Sequence, residues 1–202
     1  MTLKISNYKL LHPTDKKILI DNFSLVADYG DIIGILGANG TGKTLFLDSI
    51  ATLTPNWEGS ITMDGKNLDL DFISYFVQDI QNSFLTETVE NELKYHIQNI
   101  DTNISLKEII SNLSFFGINY NSIKELPASA LSSNGNRILT FILSLLKPHK
   151  IRLLDELDSG MTLETKNILS QFLNNGKDHK ITIIVSHDNL FLENLCSKII
   201  RF

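Results

Sequence analysis

Residues 37–44 form a glycine-rich segment with the sequence Gly-Ala-Asn-Gly-Thr-Gly-Lys-Thr. It stands between an apolar run, residues 32–36, and an amphipathic run, residues 45–53. The glycines let the backbone turn without a Cβ clash, so that successive amide N–H groups point at one anion. A helix that begins at the end of the segment adds the positive end of its dipole. The segment therefore predicts a phosphate-binding loop that holds a nucleoside triphosphate.

The side chains of this loop match the chemistry of that ligand. We expect Lys43 to reach the β- and γ-phosphates, and the hydroxyl of Thr44 to be a ligand of Mg²⁺. The other loop residues predicted to bind the nucleotide are Gly37, Asn39, Gly40, Thr41, Gly42 and Leu45. A chance glycine-rich turn is the alternative, but a strand before the loop and a helix after it are the context that the motif demands.

Composition and length restrict the classes of protein that the chain can belong to. The 202 residues suffice for one domain over 1–202, and 43% hydrophobic with 20% charged residues is typical of a globular protein. No apolar run approaches the ~20 residues of a membrane span, and no signal peptide is recognisable, which predicts a cytoplasmic protein. The single cysteine, Cys196, excludes an internal disulfide and a cysteine metal cluster. A net charge of -5 argues against a nucleic-acid partner.

Strand-like and helix-like segments alternate along the chain. Short strands are predicted at 3–5, 18–20 and 23–26, and together they form a small antiparallel element. Further strands are predicted at 32–36, 60–63, 72–77, 151–154 and 181–186, and helices at 45–53, 139–146 and 165–173. This alternation predicts an α/β fold, a mostly parallel sheet with helices on both faces. A helical subdomain is expected at about 79–137, between core segments 1–78 and 138–202.

An acidic pair, Asp155 and Glu156, follows the apolar strand 151–154. The carboxyl edge of a parallel sheet is where such folds bind their ligands. We expect Asp155 to hold Mg²⁺, directly or through water, and Glu156 to orient and deprotonate the attacking water. Taken alone, the pair reads equally well as a solvated acidic loop, and the phosphate-binding loop in the same chain favours the metal and the base.

Two further polar residues close predicted strands. His187 follows the strand 181–186, and its ring is predicted to donate a hydrogen bond to a γ-phosphate oxygen. Gln78 follows the strand 72–77, where its amide is predicted to bind Mg²⁺ or the attacking water. The alternatives are a structural histidine and an ordinary surface glutamine.

Taken in order, these motifs resemble the nucleotide-binding domain of ATP-binding cassette (ABC) proteins over essentially the whole chain. The matching segments are 37–44 as Walker A, 76–79 as the Q-loop, 151–156 as Walker B with its catalytic glutamate, 158–161 as the D-loop and 185–188 as the H-loop. The resemblance implies a P-loop NTPase of the ABC type that binds ATP and Mg²⁺. It also implies a homodimer, or a heterodimer with another ABC ATPase, in which each subunit closes the other's ATP with a signature loop.

The signature loop is where the chain departs from the family. The family pattern Leu-Ser-Gly-Gly-Gln is represented by residues 131–135, or by 133–136 if the register slides, so glycines are replaced in either case. The resemblance assigns Ser132 and Gly135 to the partner's nucleotide, but bulkier side chains restrict close backbone approach. Hydrolysis is therefore expected to be slow or absent. No aromatic residue stands at the usual distance before Walker A, and Tyr8 and His12 are the nearest candidates to stack on adenine.

The segment after Gln78 distinguishes kinds of cassette. Residues 86–95 resemble the corresponding region of energy-coupling-factor importers, which implies a membrane permease partner and a place at the cytoplasmic face of the membrane. A plain capped amphipathic helix is the alternative. Residues 155–161 instead resemble the ATPase of iron-sulfur assembly, a soluble cassette without a transport role. The altered signature leaves open a third class, a subunit that holds ATP beside an active partner.

Overall fold

The computed structural model of the chain describes residues 1–77, 84–100, 104–176 and 179–202. Along these ranges the strands are β1 (Thr2–Leu11), β2 (Ile18–Asp28), β3 (Ile32–Leu36), β4 (Trp57–Met63), β5 (Lys66–Asn67), β6 (Ile73–Phe76), β7 (Ile151–Asp155), β8 (Ile181–Val185) and β9 (Lys198–Arg201). The α-helices are α1 (Lys43–Ile50), α2 (Val89–Asn99), α3 (Leu106–Phe115), α4 (Tyr120–Ile123), α5 (Ser133–Ser144), α6 (Leu163–Asn175) and α7 (Asn189–Leu195).

One sheet is antiparallel, in the order β2-β1-β4-β5. The three strands predicted before residue 30 are too short. Strand β1 is 10 residues long, and β2, with 11 residues, contains both of the strands predicted at 18–20 and 23–26. The pairing register shifts between Ile5 and Tyr8 and again between Tyr8 and Leu10. Each shift interrupts the alternation of inward and outward side chains although the strand continues. A period-two pattern in the sequence therefore ends before the strand does.

The other sheet is parallel, in the order β6-β7-β8-β3-β9. The predicted α/β fold class is confirmed. In a parallel sheet the carboxyl ends of all strands meet at one edge, so the loops that follow β3, β7 and β8 lie side by side. These are the loops that carry the predicted phosphate-binding, acidic and histidine motifs.

Both faces of the parallel sheet are covered, as the sequence predicts. On one face Ile33, Leu153 and Ile183 pack with residues of α1 and of the antiparallel sheet. On the other face Leu154 and Ile184 pack with residues of α5, α6 and α7. Every residue of β7 and β8 is buried, which is why these strands are almost continuously apolar in sequence.

The three helices predicted at 45–53, 139–146 and 165–173 all begin earlier than predicted, α6 by two residues, at Leu163. Helix α1 begins at Lys43, within the glycine-rich loop, and α5 begins at Ser133 rather than near residue 139. The first turn of α5 is polar and has no apolar periodicity, but Ser132 caps it by accepting a hydrogen bond from the backbone N–H of Gly135 at 3.1 Å. The helices α2, α3 and α4 lie between β6 and α5, in the region predicted to be helical.

Candidate functional site

The glycine-rich loop connects β3 to α1 at the carboxyl edge of the parallel sheet. Gly40 and Gly42 have φ angles of 80° and 98°, which lie in the left-handed region that side chains disfavour. Gly37 has no room for a side chain, because a Cβ atom would lie 2.7 Å from the carbonyl oxygen of Phe202 and 2.9 Å from Thr41 Oγ1. None of these glycines accepts a side chain without movement or strain of the loop.

Lys43 folds back into this loop. Its Nζ donates hydrogen bonds to the carbonyl oxygens of Gly37, at 2.9 Å, and Ala38, at 2.8 Å. Burial lowers the pKa of Lys43, and the nearby carboxylates of Glu156 and Asp155 act in the opposite direction. The ammonium group is thus held where amide groups and the first turn of α1 converge, which is the place for phosphate oxygens.

Thr44 and Asp155 meet across the interface between α1 and β7. The hydroxyl of Thr44 donates to Asp155 Oδ2 at 2.7 Å. Asp155 is fully buried, and its Oδ1 has no hydrogen-bond partner within the described ranges. Burial raises the pKa of Asp155, a hydrogen bond from Thr44 opposes this, and the charge of Glu156 adds to it. A buried carboxylate oxygen without a partner, beside a hydroxyl, fits a divalent cation such as Mg²⁺.

Glu156 and His187 come from different loops and touch. His187 Nε2 lies 2.9 Å from Glu156 Oε1, and the two side chains are 44% and 14% exposed. Glu156 has a φ of 50°, and its backbone is fixed on both sides. Its N–H donates to the carbonyl oxygen of Val185 at 3.0 Å, and its carbonyl oxygen accepts from Arg137 Nη1 at 3.0 Å. The carboxylate is therefore held beside the imidazole at the mouth of the loop.

The predicted residues surround one cleft with a volume of about 610 Å³. Its wall is made by His12, Leu19, Asn39, Gly40, Gly42, Lys43, Thr44, Leu45, Glu156 and His187. The other predicted members of the loop, Gly37 and Thr41, do not belong to this wall. Leu19 was not predicted, and its only sequence signal is an apolar residue at the start of a strand. The cleft is large enough for a small ligand such as a nucleotide.

Of the two residues predicted to stack on adenine, Tyr8 and His12, only His12 lies at the cleft. Tyr8 is fully buried, its ring stacks on Trp57 at 5.8 Å between centroids, and its hydroxyl lies 2.6 Å from Ser49 Oγ. Burial raises its pKa to about 12. The expectation that Tyr8 stacks on a base is therefore wrong, because the side chain belongs to the core. His12 lies on the wall of the cleft and remains in place for that contact.

Some predicted site residues lie elsewhere. Gln78, predicted to bind Mg²⁺ or the attacking water, lies outside the described residues. Ser132 and Gly135 stand at the N-terminus of α5 and do not belong to the described wall of the cleft. Their contact with a nucleotide bound by another subunit stays a prediction.

Within the described ranges, no helix is long and apolar enough to span a membrane. The same ranges contain no group of three or more histidine, cysteine or acidic side chains arranged to hold a metal.

The family model for ABC transporters matches residues 20–159, which is more than half of the chain. The chain belongs to the ABC transporter family. The members of this family are ATPases that bind ATP, so the predicted nucleotide and the ATPase character agree with it.

Relatives of this cassette fall into two groups by name. A predicted ABC transporter ATP-binding protein of Treponema denticola is 29% identical over 187 residues, which cover 90% of this chain and 37% of that protein. The ATP-binding protein Uup of Buchnera aphidicola is 32% identical over 197 residues, 96% of this chain and 31% of that protein. The energy-dependent translational throttle protein EttA of Mycobacterium tuberculosis is 28% identical over 93% of this chain and 32% of that protein. The cassette spans about a third of the length of these relatives.

Solved structures share the fold. A predicted ABC transporter ATP-binding protein of Pyrococcus furiosus aligns with a TM-score of 0.84 and 20% identity, over 100% of this chain and 97% of that one. The protein cbiO1 of Clostridium perfringens, described as part of the ABC transporter complex cbiONQ, aligns with a TM-score of 0.80 and 20% identity, over 98% and 83%. At these identities the likeness establishes the fold alone.

Proposed function

We propose that this chain binds and hydrolyses ATP as a subunit of an ABC transporter, dimerising around ATP and coupling to a membrane permease. The observation that carries the hydrolytic part is the contact of 2.9 Å between Glu156 Oε1 and His187 Nε2, on the wall of a cleft that also contains Lys43 and Thr44. A base, a phosphate sensor and a phosphate-binding loop thus face one volume, as the transfer of a phosphoryl group to water requires.

Each residue of the cleft has its own role in the proposed reaction. Lys43 and the amides of the loop bind the β- and γ-phosphates, and His187 donates to a γ-phosphate oxygen. Thr44 and Asp155 would hold Mg²⁺, as would Gln78, and the cation would neutralise charge on the phosphates. Glu156 accepts a proton from water while the water oxygen bonds to the γ-phosphorus and the bond from that phosphorus to the bridging oxygen breaks. ADP and inorganic phosphate leave.

A second subunit is part of the proposal. Ser132 and Gly135 lie at the N-terminus of α5, a 12-residue helix whose dipole favours an anion there. In the proposed dimer this terminus faces the γ-phosphate of ATP bound by the partner. The partner is a second copy of this chain or another ABC ATPase.

Coupling to a permease rests on the region that follows residue 83. Glu92 is fully buried on α2, and its Oε2 accepts hydrogen bonds from the backbone N–H groups of Leu85, at 3.0 Å, and Thr86, at 2.9 Å. These bonds tie the described residues that follow 83 to α2. The resemblance of residues 86–95 to energy-coupling-factor importers supports an importer of that type at the cytoplasmic face of the membrane, and the fold shared with cbiO1 is consistent with it.

A soluble cassette without a permease is the second candidate. It is favoured by the relatives Uup and EttA, whose names mention no transport, and by the likeness of residues 155–161 to the iron-sulfur assembly ATPase. The two candidates differ in their partners. Recovery of the chain with a hydrophobic membrane protein from gently solubilised membranes supports the transporter, and recovery only as a soluble species, alone or with soluble scaffold proteins, contradicts it.

ATP turnover tests the hydrolytic assignment. We expect Glu156→Gln to lower kcat by about 100-fold or more while ATP binding is kept, because the base is lost and the shape of the side chain is not. Glu125→Gln, a change of the same kind on an exposed residue, is the control. Turnover that is unchanged in Glu156→Gln contradicts the assignment. A wild type that binds ATP and never hydrolyses it in any assembly identifies instead a subunit that holds ATP beside an active partner.

A further inference from the structure

Lys166 on α6 joins the loop after β7 to the loop after β8. Its Nζ lies 2.6 Å from Asp188 Oδ2 and 3.3 Å from Asp158 Oδ2. The side chain is only 15% exposed, so this is no ordinary surface ion pair. Lys166 belongs to α6 and to neither loop, and it links the two loops by binding one aspartate of each.

Hydrogen bonds between the two loops complete the same cluster. Ser186 Oγ donates to Asp158 Oδ2 at 2.8 Å and accepts from the backbone N–H of Asp188 at 2.9 Å. Asp188 also caps α7, because its Oδ1 accepts from the N–H of Phe191 at 3.0 Å. His187 stands between Ser186 and Asp188 in the chain, so both of its neighbours are held by this cluster.

The charges of the cluster make the lysine necessary. Asp158 is 3% exposed, and its carboxylate shares Lys166 with Asp188. Burial lowers the pKa of Lys166, but the hydrogen bonds and charges of Asp188 and Asp158 outweigh it and raise the pKa overall. Without the ammonium group, two carboxylates would face one space with no counter-charge, and their loops would move apart.

We propose that Lys166 is a positioning residue for hydrolysis, which holds His187 in contact with Glu156 by binding Asp158 and Asp188 together. The inference rests on the hydrolysis proposed above and adds a residue that does not line the ATP cleft. A neighbouring cleft of about 450 Å³ is lined by Lys166 and its two aspartates together with Glu156 and His187, so the bridge and the catalytic pair border one volume.

The first experiment compares Lys166→Met with Lys166→Arg. We expect Lys166→Met to lower kcat for ATP about tenfold or more, with KM and the Kd for ATP changed less than about twofold, because a displaced catalytic group slows the reaction without weakening phosphate binding. Lys166→Arg keeps the charge and should recover most of the turnover. Lys147→Met, which removes a lysine that bridges to Asp71 at 2.9 Å elsewhere, should have no effect.

The second experiment observes the histidine directly. In protein with isotope-labelled histidine, the ring resonances of His187, assigned with His187→Gln, should move in Lys166→Met and return in Lys166→Arg. Faster amide hydrogen exchange at residues 186–191 should accompany the shift. Unmoved resonances with an intact fold, or equal turnover in Lys166→Met and wild type, overturn the proposal. Because the resonances are read without turnover, they decide the positioning role even if Glu156→Gln shows that the hydrolytic assignment is wrong.

Discussion

Asp155→Asn should make the nucleotide-free protein more stable and at the same time remove its response to Mg²⁺. Asp155 is fully buried, and one of its carboxylate oxygens has no partner within the described ranges. Burial and the neighbouring charge of Glu156 both disfavour its ionised form. In the absence of a cation the chain therefore carries an unfavourable charge that serves the ligand rather than the fold.

The expected gain follows from the contacts that change. Thr44 donates to Asp155 Oδ2 at 2.7 Å, and the oxygen of asparagine can accept the same hydrogen bond. The substitution removes a buried charge, whose desolvation costs more than the roughly 1–3 kcal/mol of a neutral buried polar group, but the new amide N–H groups lack an acceptor and cost an amount in that neutral range. We expect a net gain of about 1 kcal/mol, which raises Tm by roughly 2–4 °C for a chain of this length.

Thermal unfolding followed by circular dichroism measures this gain, with EDTA and without nucleotide. Asp21→Asn removes the same unit of charge from an exposed position and is the control. With ATP and Mg²⁺, the wild type should gain further stability by mass action, about 2.7 kcal/mol when the ligand is at 100 times its Kd. Asp155→Asn should gain no more with Mg²⁺ than with EDTA.

Two results would refute the reasoning. If Asp155→Asn unfolds at a lower temperature than Asp21→Asn without nucleotide, the buried carboxylate stabilises the fold and its unpartnered oxygen is of no consequence. If Asp155→Asn keeps the full gain from Mg²⁺, the cation is held without this side chain, and the proposed ligand set is wrong.

Three further predictions concern the phosphate-binding loop, the pH dependence of stability and the adenine contact. Gly37→Ala should lower ATP affinity about tenfold in calorimetry, because its Cβ would lie 2.7 Å from the carbonyl oxygen of Phe202 and displace the loop; unchanged affinity would mean that the loop yields freely. His149 is partly buried, and loss of contact with water lowers its pKa from 6.5 to about 4, so the unfolded chain binds the proton more tightly and stability falls as pH drops from 6.5 towards 4. His149→Phe should remove about 2 kcal/mol of the loss between pH 7 and pH 5 in urea unfolding, and an identical loss in both proteins would contradict this. His12→Ala should weaken binding of ATP but not of tripolyphosphate, whereas Tyr8→Phe should change neither; equal weakening of both ligands by His12→Ala would place it at the phosphates.

The phosphate-binding loop could be predicted because its geometry is local. A short segment with glycines at positive φ, placed after a buried strand, dictates its own turn and the start of the next helix. The alternation of strands and helices likewise predicted the parallel sheet, and the sheet then fixed which loops lie at one edge. The motifs at that edge therefore required no knowledge of distant packing.

Contacts between distant segments could not be predicted in the same way. The sequence places Glu156 and His187 on separate loops, and only the folded sheet brings their side chains to 2.9 Å. Tyr8 was a candidate for adenine only because it is among the nearest residues to the usual position, and its ring instead packs against Trp57 in the core, next to a register shift in β1. Nothing in the sequence singles out Lys166, because a single lysine within an amphipathic helix gives no signal of the carboxylates that it bridges.

The altered signature segment is compatible with the proposed contact to a partner's nucleotide. Ser132 Oγ accepts the N–H of Gly135 at 3.1 Å, which uses one lone pair and leaves the hydroxyl hydrogen free to be donated. A Cβ atom at Gly135 would lie 3.2 Å from that oxygen, so the glycine keeps the cap unobstructed. The serine can therefore cap α5 and donate to a phosphate oxygen at once. Ser133 and Asn134 stand where the family has glycines, and both lie within the first turn of α5, where a side chain costs the helix little stability. The replacements therefore hinder only the close approach of this backbone to a phosphate. Slow turnover with intact ATP-dependent association is thus the behaviour that this segment favours.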